Sequence, residues 1–131
     1  MTRKSLDEFG ELLIKEVRDR VIGNMDEAVS RKLKSKWDKY IFTQIKKHRN
    51  NSKEILHFMI PIIVDLTIAH FLELIEYEVD LDLVVETSEG NKSLKEMSDG
   101  LSGEIYSDSG WIKRFSEYRT YEDEIYKGDT I

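Results

Sequence analysis

His70 and Glu73 are the pair in this chain best placed to do chemistry. Residues three apart on a helix lie within side-chain reach. An imidazole beside a carboxylate can work as an acid–base pair or hold a divalent cation. Thr67, His70, Glu73 and Glu76 form one i, i+3 row, and Asp65 stands nearby among Ile62, Ile63, Val64, Leu66 and Ile68. A carboxylate in such apolar company needs a cation or several donors. Arg18, Arg20 or the Trp37 indole N–H are the partners the sequence offers it. Asp65, His70 and Glu73 are therefore the candidate catalytic residues, with His70 and Glu73 as candidate metal ligands. The di-iron carboxylate pattern, however, is Glu-x-x-His on each of two helices. Here the order is reversed and occurs once. The simpler expectation is that this row is the helix's solvent edge or a hydrogen-bonded seam against another element, with Asp65 in a structural ion pair. No cofactor is expected.

A second candidate is the run Ser98-Asp-Gly-Leu-Ser-Gly-Glu104, followed by Gly110-Trp111. Asp99, Glu104 and Trp111 could form a binding loop. The plainer reading is a tight turn at Asp99-Gly100 with Trp111 plugging the core. A third is Arg31–Lys53, with nine Lys/Arg against one acid and with Trp37, Tyr40 and Phe42 interleaved. Basic plus aromatic is what nucleic-acid binders use. These aromatics fall on an apolar stripe, which makes them core residues and the lysines a solvated face, so nucleic acid is not expected. Enzyme signatures are missing. Gly100-Leu-Ser-Gly103 lacks phosphate-loop spacing, no Gly-x-Ser-x-Gly occurs, and His48, His57 and His70 lack zinc spacing.

The chain resembles a family of small one-domain bacterial proteins at several places. These are Val64-Asp65…His70-Phe71-Leu72, Ser98-Asp99-Gly100-Leu101-x-Gly103-Glu104 and Gly110-Trp111-Ile112-x-x-Phe115-Ser116, with Phe9…Val17-Arg18-Asp19 at the start. The resemblance implies a free-standing bacterial cytosolic protein. It brings no assigned catalytic residue, and it is consistent with Asp65, His70, Asp99 and Glu104 mattering together.

The elements that must position these residues are mostly helical. Ser5-Leu6-Asp7-Glu8 reads as a capping box, and Leu6, Phe9, Leu13, Val17 and Val21 recur at helical spacing. Gly23-Asn24 reads as a break or kink, with a new helical stretch from Met25. Leu33, Trp37, Ile41 and Ile45 form a further stripe that ends at Lys46-Lys47-His48. Ile55–Ile75 is apolar on nearly every side, and such a helix is normally enclosed by protein or membrane. It is long enough to span a bilayer, but Asp65, His70 and Glu73 are costly there, so a buried core helix is expected. Pro61 should kink or divide it. Val79–Glu86 alternates like a half-buried strand with an acidic outer face. Ser93–Met97 reads as its returning partner, and Trp111–Phe115 as a short helix capped by Ser109. In the tail, Tyr121, Ile125 and Tyr126 could dock.

The 131 residues suit a single domain, 1–131, and contain no cysteine. That removes disulfides, thiol catalysis and thiolate metal sites. No apolar signal core is read at the start. The expected fold is α+β and mainly α. Three to four helices pack around a central apolar helix, followed by a small β-hairpin and a short C-terminal helix. Residues 1–75 hold 14 Lys/Arg and 11 Asp/Glu, whereas residues 76–131 hold 6 and 15, so the halves carry +3 and −9. The functional expectation is a non-enzymatic, acidic, cytoplasmic interaction protein, immunity-protein-like in size and acidity. It would bind a protein partner or a second copy of itself, without nucleic acid or membrane. The alternative is a metal-dependent or acid/base enzyme built on Asp65, His70 and Glu73.

Overall fold

A computed structural model describes residues 3–29 and 35–117. The docking expected of Tyr121, Ile125 and Tyr126, the basic Arg31, Lys32 and Lys34, and Leu33 of the expected stripe lie outside them. The fold is α+β and mainly helical. Helix α1 (Arg3–Leu13) runs through a π-helical turn (Ile14–Arg18) into α2 (Asp19–Val29). Helix α3 (Lys36–Lys47) and the long α4 (Ser52–Tyr77) follow. A hairpin of β1 (Val84–Thr87) and β2 (Gly90–Ser93) leads to α5 (Leu94–Met97), a 3-10 turn (Leu101–Ile105) and α6 (Trp111–Phe115).

The helix boundaries have local causes. Ser35 caps α3 by accepting from the Asp38 amide at 3.0 Å, and Asn51 caps α4 by accepting from Glu54 at 3.1 Å. Lys46 and Lys47 close α3 where the helix dipole favours cations. Other boundaries depart from the pattern reading. α1 already includes Arg3, so Ser5 lies in its first turn rather than ahead of it. The chain stays helical through Gly23-Asn24, and Met25 belongs to α2. Packing outweighs the roughly 1 kcal/mol that an interior glycine costs.

Pro61 does not divide α4. It has no N–H to give the His57 carbonyl. His57 is exposed, so water can satisfy that acceptor.

The hairpin is shorter than the alternation suggests. Its antiparallel register is Val84↔Ser93, Val85↔Lys92, Glu86↔Asn91 and Thr87↔Gly90. Val79–Leu83 lies outside it, and Leu81 and Leu83 pack into the core instead. Leu94–Met97 is a helical turn, not a strand, because the Ser93 hydroxyl accepts from the Glu96 amide at 3.3 Å. Gly90 takes φ +103°, the left-handed conformation that glycine adopts at least cost, to turn the hairpin. The cap of α6 is Gly110 and makes no side-chain cap bond, so Ser109 is not its cap.

Helix α4 runs through both parts of the core. Around its first half, Ile62 joins Ala28 of α2 and Tyr40 and Ile41 of α3. The Tyr40 and Phe58 rings meet there at 5.4 Å and 59°. Around its second half, Ala69, Leu72 and Ile75 join Leu101 and Ile105 of the 3-10 turn. Tyr106 packs against both clusters. The expectation of a fully enclosed α4 holds on one side only. Leu56, Ile60, Ile63, Val64 and Ile68 remain exposed. By length and composition alone α4 could cross a membrane, and 17% of its apolar 18-residue window is buried inside the protein.

Candidate functional site

The polar row of α4 meets α2 at His70. The Asn24 side-chain amide donates to His70 Nε2 at 2.9 Å. With Asn24 Nδ2 turned to the ring, Nε2 accepts and the neutral imidazole carries its proton on Nδ1. Nδ1–H then donates to Glu73 Oε2, also at 2.9 Å. The His70 side chain is 13% exposed and that of Glu73 37%. Both ring nitrogens are used, one across the helix interface and one along α4. The arrangement works as a clip between helices, with the imidazole oriented by both partners. Acid–base work or metal binding by His70 would first have to release Asn24 or Glu73.

Asp65 does not join this pair. It is half-buried and lies about 140° round the helix from His70. Arg18 pairs with Asp19 at 3.0 Å and Arg20 with Glu16 at 2.8 Å. Both of the arginines offered to Asp65 thus hold surface pairs. Trp37 packs against the first core cluster. Among the described residues no group of three or more His, Asp or Glu side chains could hold a metal ion.

Glu76, the last member of the row, holds the 98–105 segment to α4. Its Oε1 accepts from the Ser102 amide at 3.2 Å. Within that segment the Ser98 hydroxyl donates to Glu104 Oε1 at 2.7 Å and accepts from the Gly100 amide at 3.2 Å. Gly103 N–H donates to the Gly100 carbonyl at 3.0 Å, closing the turn. Glu104 is thus engaged inside the segment and Trp111 packs on the second core cluster, while Asp99 is exposed. These three candidates divide between structural duty and solvent.

Asn24 is the residue that pattern reading missed, having been taken as part of a break. The signal was present. Val17, Val21, Asn24 and Ala28 are spaced four, three and four apart, which puts Asn24 on the buried stripe. A polar residue on such a stripe needs a partner on the opposing helix.

The basic stretch behaves as a solvated face. Lys36, Lys39, Lys46, Lys47, Arg49 and Lys53 are exposed, whereas Tyr40 is buried and Trp37 packs inward. Thr43, Lys46, Lys47, Arg49 and Asn50 line a shallow basic depression at the end of α3. In the C-terminal half, Asp80, Asp82, Glu86, Glu89, Glu96, Asp99, Asp108 and Glu117 are all exposed.

No family model matches the chain, and neither a curated protein nor a solved structure matches it.

Proposed function

We propose that this is a non-enzymatic interaction protein of the bacterial cytosol that holds a basic protein partner on its acidic C-terminal half. The observation that supports this reading is the acidic display after α4. Residues 76–117 contain eleven Asp/Glu and four Lys/Arg, and eight of the acids are exposed. Such a field speeds encounter with a cationic surface and disfavours nucleic acid. The size and acidity are those of immunity proteins that neutralise a basic toxin, and that is the partner class proposed.

The test is a pull-down from the host with the full chain as bait, eluted by a salt step. A specific basic protein released by salt is expected. Recovery of only the abundant background proteins seen with an unrelated acidic bait would count against the proposal. The enzyme alternative rests on His70–Glu73, the contact the structure does contain. Its weak point is that Asn24 already occupies Nε2.

A further inference from the structure

We infer that the face of α4 left open by the described residues is the interface between two copies of this chain, paired antiparallel about a two-fold axis near Ile60 and Val64. The inference uses a different surface from the acidic one and stands or falls separately from it.

Leu56 is 60% exposed, Ile60 52%, Ile63 40%, Val64 50% and Ile68 43%. At 100° per residue these five share one stripe, and they span about 18 Å of helix. They expose on the order of 450 Å² of apolar surface, as much as the largest patch of an ordinary monomer. A standard interface buries about 800 Å² per partner. The five residues supply more than half of that, and the exposed Lys53, His57 and Thr67 lie beside them on the same face. The described elements that pack on α4 take its other side at Phe58, Ile62, Ala69 and Leu72 and border the stripe at His70, and beyond Ile68 the same face is closed, with Phe71 packed on the second core cluster and Leu74 and Ile75 buried.

Charge selects both the partner and the direction. Helix α4 starts at a basic end, where Lys46, Lys47, Arg49 and Lys53 are exposed. It finishes at an acidic end, with Glu78 half-buried and Asp80 and Asp82 exposed. A parallel pair would place like ends together. An antiparallel pair places each copy's basic end beside the other's acidic end, which is favourable. With the axis between Ile60 and Val64, Ile60 of one copy faces Val64 of the other, and Leu56 faces Ile68. The contact is self-complementary and closes at two copies.

The absence of cysteine makes the register testable with single-cysteine variants of the full chain. With a short bis-maleimide, Val64→Cys should link to itself, since the two positions lie about 6 Å apart along the axis. Leu56→Cys alone should not link, being about 18 Å from its copy, but should link when mixed with Ile68→Cys. Sedimentation equilibrium should show a concentration-dependent dimer. Val64→Asp, at a position exposed in the single chain, should raise its dissociation constant at least about 30-fold while circular dichroism keeps the helical signal. A wild-type monomer at every concentration overturns the inference. So does Leu56→Cys linking to itself while Val64→Cys does not. A monomer that co-floats with anionic vesicles would assign the face to a membrane and equally overturn it.

Discussion

Replacing Gly110 by alanine should destabilise the fold more than any other single methyl addition at a described glycine. Gly110 is buried at the start of α6. Its φ of −76° is open to any residue, so the requirement is for space, not conformation. A Cβ at this position would lie 1.9 Å from the Tyr106 carbonyl oxygen, 2.5 Å from Tyr106 C and 2.9 Å from Ile105 C. All three are backbone atoms, so no rotamer change relieves the contact. The 105–110 turn would have to open by more than 1 Å, straining the Gly110 N–H to Ser107 carbonyl bond and the Arg114 N–H to Gly110 carbonyl bond, both 3.1 Å. Overpacking of this kind costs about 1–3 kcal/mol and a weakened hydrogen bond about 1 more. We expect about 3 kcal/mol, a fall in Tm of about 10 °C for a chain of this length. The paired control is Gly23→Ala, where nothing lies within 4 Å of the added methyl. It sits inside α2 and should stabilise by about 0.5–1 kcal/mol. Urea titration with a helical circular dichroism signal measures both. A Gly110→Ala cost below about 1 kcal/mol, or a loss on Gly23→Ala, would refute the packing at α6 or the continuity of α2.

Ile62 has no exposed surface, so Ile62→Ala should cost about 2–5 kcal/mol and Ile62→Val about 1 in the same titration, with equal small losses arguing against a packed site. The clip predicts coupling between Asn24→Ala and His70→Ala of about 0.5–1.5 kcal/mol in a double-mutant cycle, and strict additivity would deny the 2.9 Å contact. Lys15 holds the Glu11 carboxyl below its ordinary 4.5, first by hydrogen bond and then by charge. Any stability this pair contributes is therefore present above pH 4.5 and lost as pH falls through the folded value. Carboxyl-carbon NMR titration should show Glu11 returning to its ordinary value in Lys15→Met, and an unchanged curve would contradict the pair.

The helices that could be read from the sequence were those whose stripes agree with their packing. Trp37, Ile41 and Ile45 mark α3, and Lys46-Lys47 and Asn51-Ser52 mark the break before α4. Local signals failed where tertiary contacts outweighed them. Gly23-Asn24 resembles a stop, but Asn24 is held inside α2 by His70 across the helix interface. Pro61 resembles a divider, but the bond it forfeits falls on His57, an exposed residue. Val79–Glu86 alternates because Leu81 and Leu83 dock on the core, not because a long strand forms. His70 and Glu73 were legible as a pair from their spacing, whereas the meeting of Asn24 with His70 depends on how α2 crosses α4. The uncovered side of α4 was not legible either. An apolar circumference shows what a helix prefers, not how many neighbours the chain supplies to cover it.

The central claim is that the acidic half binds and that His70 serves structure. Its most direct test compares three full-length baits in one host lysate: wild type, His70→Gln, and a variant with Asp80, Asp82, Glu86 and Glu89 changed to their amides. The claim predicts that wild type and His70→Gln retain the same basic protein and that the amide variant loses it. Loss with His70→Gln and retention by the amide variant would contradict it.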